Sequence, residues 1–407
     1  MSYKDLKKLF HSNVKEYKEA YTQRFSSENA VKLDFYIGKN QAFFIQSSEV
    51  VDLLYRILSA DKRISSLTQA LPGSALSQYS KKCLIDEIVI TNNIEGVHSS
   101  RKEIGDALKL LEERSEKKGK KLKFQGIVNK YRKLAASEQI KLETCEDIRA
   151  LYDELVLEEV VGDDKKNAPD GLIFRKGQTE VFNSVGVSVH KGKYPESEII
   201  TSMEKALIFL NDESVLPLYR ICVFHYLLEY VHPFYDGNGR LGRFITSCRI
   251  SENLEKLLAF RISQTIKENI RDYYKAFTVC NDPLNLGDLT PFLIMMLEMI
   301  AESADSLISS LQTKLNDWNK YLSLGESLLN TDAKADDYRS LLEILLRASL
   351  FSETGACAKE LTEELNVSYS TLPKKLAFFK EKNLLAETKR GNSKLYSLDL
   401  NALNELI

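Results

Sequence analysis

Apolar residues recur at three- and four-residue spacing along most of the chain, and this pattern predicts a predominantly helical protein. One helix is predicted over residues 218–230 and another after Arg240. A much longer helix is predicted over residues 287–330, where Asp-Leu-Thr-Pro at positions 288–291 gives a start signal. Because only 18 Gly and 8 Pro interrupt these patterns, the predicted fold class is mainly α.

Two stretches depart from helical spacing and predict short β-hairpins. In the first, residues 33–37 and 42–45 are strands on either side of a Gly38 turn. The second, residues 172–189, is predicted as strand 173–175, a turn and strand 179–182, followed by alternating valines. An ordinary surface hairpin and a hairpin with a binding role both fit this second pattern.

Breaks in the helical pattern divide the chain into predicted domains. Residues 112–123 and 162–171 are predicted loops, and residues 332–337 are a predicted linker. The lysine-rich run 117–121 has several glutamates beside it, so a solvated connector is favoured over a polyanion contact. The predicted domains are residues 1–80, 81–330 and 338–407.

The last of these domains resembles a winged helix-turn-helix. Helices are predicted over 338–349, 357–366 and 369–382, and a hairpin over 384–398. Residues 366–395 hold seven basic and two acidic side chains, an excess that a DNA-facing helix and wing would have. Against this, Pro373 falls inside the recognition helix, and apolar neighbours there offer no base-reading groups. DNA binding and docking of a protein partner both remain open.

Composition excludes several classes of protein. The 407 residues include 56 Lys and Arg against 58 Asp and Glu, so a surface that binds polyanions throughout is excluded. The first eight residues are too charged for a signal peptide, and the most apolar run, 291–297, is far shorter than the ~20 residues of a membrane helix. The six scattered cysteines predict reduced thiols. We therefore expect a cytoplasmic protein without a membrane span.

Residues 232–243, His-Pro-Phe-Tyr-Asp-Gly-Asn-Gly-Arg-Leu-Gly-Arg, concentrate polar chemistry between two predicted helices. Gly237 and Gly239 flank Asn238, so successive backbone N–H groups can face one point at the start of the second helix. Arg240 and Arg243 lie three positions apart and can reach one phosphate chain. The segment therefore predicts an anion site.

Two further side chains give this segment a catalytic character. Asp236 is placed to hold Mg²⁺ against bound phosphates. His232 is the one group of the segment expected to titrate near neutral pH, which suits a general base. Taken singly, each residue is more simply explained as a helix cap, a turn residue or a surface ion pair. Their convergence within twelve residues favours a functional site.

This segment matches the active-site signature of the Fic family, His-x-Phe-x-Asp/Glu-Gly-Asn-Gly-Arg-x-x-Arg, and the looser resemblance covers roughly residues 33–299. It implies a Fic helical core and an enzyme that transfers AMP, usually from ATP, to a protein Ser, Thr or Tyr hydroxyl. His232 would accept the hydroxyl proton, and Asp236 would bind Mg²⁺. Asn238 with the flanking amides would hold phosphate oxygens, and Arg240 and Arg243 would bind the terminal phosphates.

The resemblance also implies a built-in inhibitor. Thr91-Asn-Asn-Ile-Glu95-Gly matches the Ser/Thr-x-x-x-Glu-Gly/Asn motif, on a helix predicted near residues 83–96. Glu95 would pair with Arg243 and occupy the place of the ATP γ-phosphate. A simple helix C-cap is the alternative. Glu95 would also suit a water-orienting role in removal of AMP, and the residues leave the dominant direction open.

The predicted protein is therefore a Fic-type adenylyltransferase that is inhibited in cis by Glu95. Residues 172–189 would be the flap that pairs with an extended segment of the protein substrate. The alternative is a DNA-binding regulator whose Fic-like core senses nucleotide. The residues leave open whether ATP is the donor and whether the chain forms a homodimer.

Overall fold

The structure is a computed structural model that describes residues 3–113, 123–182, 188–329, 335–352, 355–390 and 393–405. The lysine-rich run 117–121 lies outside the described residues. So do two of the predicted alternating valines and the first part of the predicted linker at 332–337.

Helices and short strands follow one another along the chain. The α-helices are α1 Leu6–Ser12, α2 Val14–Phe25, α3 Ser48–Ala70, α4 Gly73–Ile94, α5 Arg101–Glu113, α6 Gln125–Ala135, α7 Cys145–Tyr152, α8 Glu158–Asp163, α9 Glu196–Leu210, α10 Pro217–Val231, α11 Asn238–Asn253, α12 Lys256–Ala259, α13 Ile262–Glu268, α14 Ile270–Asn281, α15 Thr290–Leu329, α16 Ala335–Phe351, α17 Ala358–Leu365, α18 Leu372–Glu381 and α19 Leu400–Glu405. The strands are β1 Ala30–Ile37, β2 Asn40–Ile45, β3 Glu180–Phe182, β4 Ser188–Lys191, β5 Ala356–Cys357, β6 Leu385–Arg390 and β7 Ser393–Leu398.

This arrangement confirms the predicted fold class, a mostly helical chain with small hairpins. The long helix begins at Thr290, because the Asp288 carboxylate accepts a hydrogen bond from its N–H at 3.0 Å and so caps the first turn. The predicted N-terminal hairpin is present as β1 and β2, which pair antiparallel from Ala30↔Ile45 to Ile37↔Asn40.

Two helices, α10 and α11, flank the predicted anion-binding segment 232–243. Most residues of α10 are buried on every side, from Leu218 to Val231, and α11 is buried from Asn238 to Cys248 with one half-buried position, Gly239. A helix that is apolar around its whole circumference needs neighbours on all sides. Packing from α9 and α11 therefore fixes α10, and the turn between α10 and α11 is held at both ends.

The chain divides into two compact units. The first comprises Met1–Lys62 and Leu84–Asp305, and the second Arg63–Cys83 and Ser306–Ile407. The domain limits 1–80, 81–330 and 338–407 remain predictions, because compactness alone does not establish which segments fold independently.

The second unit contains the C-terminal elements. Its sheet is antiparallel in the order β5-β7-β6, and Pro373 lies in the first turn of α18, where its missing N–H costs no hydrogen bond. The helix predicted from residue 369 begins later, at Leu372. Residues 335–337, predicted as linker, are instead the first turn of α16. A winged helix-turn-helix remains a prediction for these elements.

The second predicted hairpin is partly wrong. Residues 173–175 are not a strand, because the Glu196 carboxylate accepts hydrogen bonds from the N–H groups of Leu172, Ile173 and Phe174 at 2.8–3.0 Å. Amides held in this way cannot pair with a neighbouring strand. The hairpin that forms is β3 with β4, from Glu180↔Lys191 to Phe182↔Ser188. We call this hairpin the flap.

In the part of the chain that the structure describes, no helix combines the length and the apolar character needed to cross a bilayer.

Candidate active site

The predicted catalytic segment forms the turn between α10 and α11. His232 ends α10 in the left-handed conformation, with φ 52°, and its N–H donates to the Leu228 carbonyl at 2.8 Å. Pro233 follows, which prevents the helix from continuing. Gly237 precedes α11 with φ 83°, a value that L side chains rarely adopt. The two positive φ values turn the chain tightly between the end of α10 and the start of α11.

A polar and an aromatic contact hold this turn closed. The Asn238 side-chain amide bonds both ways with Phe234, accepting from its N–H at 3.0 Å and donating to its carbonyl at 2.9 Å. The Phe234 ring stacks on the Tyr152 ring with 3.6 Å between the ring centroids, and the Tyr152 hydroxyl donates a hydrogen bond to the Asp236 carbonyl at 3.1 Å. Asn238 thus holds the turn in shape, a contribution that sequence reasoning did not anticipate.

A π-helical turn at Asp153–Leu157 brings α8 against the same segment. A Cβ added at Gly237 would lie 3.0 Å from a methyl group of Val156. A Cβ at Gly239 would overlap the Glu95 carboxylate. The glycines predicted for the anion site therefore also let two other elements approach it closely.

Both motif arginines are buried, and each contacts a carboxylate. Arg240 Nη1 lies 3.1 Å from Glu159 Oε2, and both side chains are nearly inaccessible. Burial raises the pKa of Glu159 to about 7, although Arg240 opposes the shift. Nothing in the sequence around Glu159 signalled this contact, because it depends on how α8 packs against α11.

The second motif arginine makes the contact predicted for it. Arg243 Nη2 lies 2.8 Å from Glu95 Oε1, and Arg243 also donates to the Thr91 hydroxyl at 2.8 Å and to the Thr91 carbonyl at 3.1 Å. Burial lowers the pKa of Arg243, but the charge of Glu95, the hydrogen bond to it and the nearby Tyr273 and Glu229 together outweigh burial, so the net shift is upward. Thr91 and Glu95 thus hold a guanidinium that stays charged.

His232 differs from the sequence expectation in its protonation. Burial lowers its pKa to about 3, and the charges of His190 and Arg175 act in the same direction. The expectation that this residue titrates near neutral pH is wrong, because its surroundings disfavour the imidazolium. Its ring is neutral at pH 7, the form in which an imidazole can accept a proton.

Glu229 lies behind His232 and was not assigned a role from the sequence. Its Oε2 is 3.8 Å from His232 Nδ1, and its other oxygen, Oε1, is buried without a hydrogen-bond partner in the described part of the chain. Burial and the charge of Glu95 raise the pKa of Glu229 to about 8, against the effect of Arg243. Glu229 is therefore largely protonated at pH 7.

This raised pKa makes folding stability depend on pH. Since the pKa of Glu229 is higher in the folded than in the unfolded chain, the folded state binds more protons between about pH 4.5 and 8. Stability contributed by the neutral carboxyl is therefore lost as pH rises through that window. We expect Glu229→Gln to raise the melting temperature relative to wild type by an increment that grows by several degrees from pH 5 to pH 8, measured by calorimetry. A constant increment would contradict a neutral Glu229 in the folded protein.

His225 lies on α10 and is fully enclosed. Its two ring nitrogens contact the hydroxyls of Thr246 at 2.8 Å and Tyr273 at 2.7 Å. Burial lowers its pKa to about 3. These contacts make His225 a packed structural histidine.

Asp236 is the one predicted metal ligand. No group of three or more His, Cys, Asp or Glu side chains that could hold a metal occurs among the described residues. The Asp236 Oδ1 accepts a hydrogen bond from the Gly237 N–H at 2.5 Å. Mg²⁺ commonly takes one or two protein carboxylates and completes its shell with phosphates and water, so a lone Asp236 fits Mg²⁺ that arrives with a nucleotide.

The turn between α10 and α11 thus carries a neutral histidine, a carboxylate and two buried arginines, and the sequence around it matches a known family. Residues 143–248 match the sequence model of the Fic/DOC family. This segment is therefore similar to a Fic/DOC domain. It contains the whole turn from His232 to Arg243, whereas Thr91 and Glu95 lie before it.

Curated relatives of this chain carry the name adenylyltransferase. Protein adenylyltransferase fic-1 of Caenorhabditis elegans is 28% identical over 145 residues, which are 34% of this chain and 27% of that protein. Probable protein adenylyltransferase aq_aa38 of Aquifex aeolicus is 26% identical over 123 residues, 30% of this chain and 36% of that protein. The chain thus spans only about a third or less of the length of these relatives.

A solved structure resembles a larger part of the chain. A Fic family protein from Desulfovibrio desulfuricans G20 aligns with 87% of this chain and 97% of its own, with a TM-score of 0.51 and 20% identity. At this identity the likeness concerns the fold, and it extends beyond the Fic domain itself.

Proposed function

We propose that this chain is a protein adenylyltransferase that transfers AMP from ATP to a Ser, Thr or Tyr hydroxyl of a protein, and that Glu95 restrains it. The observation that carries the proposal is the convergence of His232 with two buried arginines at the N-terminus of α11. The names of the curated relatives point the same way.

In the proposed reaction, the neutral His232 ring accepts the proton of the attacking hydroxyl. The oxygen then bonds to the α-phosphorus, and the bond from this phosphorus to the bridging oxygen breaks, so pyrophosphate leaves. A bound polyanion beside His232 would raise its pKa from the low value of the free site, which would improve it as a base. The N–H groups at the start of α11 face the phosphate oxygens and stabilise the charge on them.

The arginines and Asp236 would hold the departing phosphates. Arg240 and Arg243 are buried and cationic, so they can bind the β- and γ-phosphates with little loss of side-chain freedom. Asp236 would hold Mg²⁺, which neutralises phosphate charge when bound.

Glu95 would act as the brake because its carboxylate already occupies Arg243 at 2.8 Å. The γ-phosphate would need the same guanidinium, so the two anions compete for one cation. Removal of AMP, with Glu95 orienting water, remains a second direction for the same site.

The identity of the ATP phosphate that is transferred to the protein tests this proposal. We expect the chain with Glu95→Gly, incubated with Mg²⁺, to become labelled by ATP that carries ³²P at the α-phosphate and to stay unlabelled by ATP with ³²P at the γ-phosphate. Label from the γ-position would instead indicate a kinase-type transfer and contradict the proposal. Addition of unlabelled GTP in excess reports whether the site selects adenine.

The flap is proposed as the docking edge for the protein substrate. β3 and β4 pair only with each other among the strands that the structure describes, so each has a free edge that an extended peptide could extend.

A separate proposal concerns the C-terminal elements, where Lys374 and Lys389 are exposed on α18 and β6. Of the other lysines nearby, Lys380 and Lys394 lie within 4 Å of Glu387, which reduces the local positive charge. This surface supports a DNA-binding regulator as the alternative function. A protein partner would dock on the same surface through contacts other than those to phosphate.

Charge reversal distinguishes these partners. We expect the double change Lys374→Glu and Lys389→Glu to weaken binding of duplex DNA by about 10-fold or more at low salt, since two phosphate contacts are lost, and to leave AMP transfer unchanged. The double change Lys359→Glu and Lys320→Glu, at exposed positions on α17 and α15, is the control because it alters the net charge by the same amount. Equal DNA binding by the double variant and this control, measured by fluorescence anisotropy, would contradict a DNA-binding surface there.

A further inference from the structure

Arg175 is a fully buried arginine between the flap and the catalytic turn. Its guanidinium donates to three backbone carbonyls, from Nε to His232 at 2.9 Å, from Nη1 to Gly177 at 2.5 Å and from Nη2 to Lys193 at 2.8 Å. The side chain has no exposed surface. The N–H groups of a guanidinium lie in one plane and point in fixed directions. A buried guanidinium that donates to three carbonyls is therefore a rigid connection rather than a surface ion pair.

The three carbonyls belong to two different parts of the site. Gly177 precedes β3 and Lys193 follows β4, so two contacts hold both ends of the flap. The third contact is to the carbonyl of His232, the residue that ends α10 in a left-handed conformation. Arg175 therefore joins the flap base to the residue proposed as the general base.

Backbone contacts on either side of His232 reinforce this connection. The Lys193 N–H donates to the Val231 carbonyl at 3.0 Å, and the Arg175 N–H donates to the Pro233 carbonyl at 3.3 Å. The residues before and after His232 are thus each tied to one end of the flap segment. Gly192 leaves room for this arrangement, since a Cβ there would overlap the Arg175 guanidinium and lie 3.1 Å from the His232 Cβ.

We propose that Arg175 is a positioning residue that fixes His232 relative to the flap, so that a substrate hydroxyl presented along the flap meets the imidazole in a reactive geometry. This inference rests on the proposed adenylyl transfer. Arg175 touches neither nucleotide nor target and acts through the His232 carbonyl. A reacting atom displaced by about 1 Å can cost ~10² in rate, which is the size of effect expected from its loss.

Kinetics in the Glu95→Gly background test the positioning role. We expect Arg175→Ala to lower kcat for AMP transfer about 100-fold while the KM for ATP changes little, because the phosphate-binding arginines are untouched. Arg175→Lys should recover little, since a point charge cannot hold three carbonyls. Guanidinium ion at non-denaturing concentration should restore part of the rate to Arg175→Ala, whereas ammonium should not.

The matched control is Arg149→Ala. Arg149 also donates to a backbone carbonyl of the same loop, that of Ile173 at 2.7 Å, but it has no contact with His232 among those described. We expect this variant to keep its kcat. Equal losses in the Arg149 and Arg175 variants, with no rescue by guanidinium, would reduce Arg175 to a structural residue and overturn the proposal.

A readout that needs no AMP transfer separates this inference from the proposed function. The titratable and charged groups that face the His232 ring are His190 on β4, Glu229 on α10 and Arg175 itself. With ¹³C-labelled histidine, and with His232→Asn to assign its signal, we expect the His232 ring signal at pH 7 to shift and broaden in Arg175→Ala relative to the wild type, because three carbonyl contacts no longer hold the backbone around the ring.

A His232 ring signal that is the same in Arg175→Ala and in the wild type would contradict the positioning role, even if AMP transfer is lost. If no variant transfers AMP but the ring signal changes as expected, the proposed function fails while the positioning of His232 by Arg175 stands. Should Arg175→Ala not fold, as judged by circular dichroism, the same spectrum of Arg175→Lys decides. There the carbonyl contacts are lost but the charge remains, so the shift and broadening of the ring signal should still appear.

Discussion

His232→Ala, introduced together with Glu95→Gly, is expected to lower the rate of AMP transfer by ~10²–10⁴ relative to Glu95→Gly alone. This is the range that a positioned general base contributes. Within the described site, His232 is a neutral nitrogen base at the C-terminal end of α10, whereas Glu95 is paired with Arg243 and Glu229 is largely protonated. The initial rate of α-labelled AMP incorporation measures the effect.

Nucleotide binding is expected to survive this change. Arg240 and Arg243 contact α4 and α8 rather than the imidazole, so ATP affinity by isothermal titration should fall less than 3-fold or so. His11→Ala, on the exposed face of α1, is the control for loss of a histidine. Full activity of the His232 variant would show that another group accepts the proton.

Glu95→Gly alone is expected to raise AMP transfer by about 5- to 150-fold, the span of a typical coupling between two sites. The physical reason is competition, since Glu95 and the ATP γ-phosphate need the same Arg243 guanidinium. Thr91 continues to hold Arg243 through two hydrogen bonds in the variant, so the cation should stay in place when the carboxylate is gone. Initial rates of transfer at saturating ATP measure the change.

Glu381→Gly is the matched control, because Glu381 is also an exposed glutamate near the C-terminal end of a helix. It should not alter the rate. Glu95→Gln should fall between wild type and Glu95→Gly, since the amide keeps the shape of the carboxylate but loses its charge. A Glu95→Gly protein no faster than wild type would refute the brake while leaving the transferase itself open.

Local patterns predicted the tight turn between α10 and α11. The glycines, Pro233 and the helical periods on either side lie within one short segment, so their geometry follows from backbone rules that act over a few residues. The contact of Glu95 with Arg243 joins distant parts of the chain and was reachable only through resemblance to a known family. Physical reasoning from the residues alone would have left Glu95 as a helix end.

Long-range packing explains what could not be predicted. Glu159 meets Arg240 and Arg175 meets His232 only because α8 and the flap base pack against the catalytic turn. The misplaced strand at 173–175 has a similar origin. Its β-prone residues favour a strand, but the carboxylate of the distant Glu196 accepts hydrogen bonds from their N–H groups. The low pKa of His232 also depends on burial that no sequence pattern displays.

Intact-protein mass spectrometry after incubation with ATP and Mg²⁺ tests adenylyl transfer most directly, with the wild type, Glu95→Gly, and Glu95→Gly with His232→Ala compared side by side. We predict an added mass of one AMP in Glu95→Gly, a weaker signal in the wild type and none in the double variant. An adduct of equal intensity in the double variant, or none in any of the three when ATP binding is confirmed by calorimetry, would contradict AMP transfer by His232.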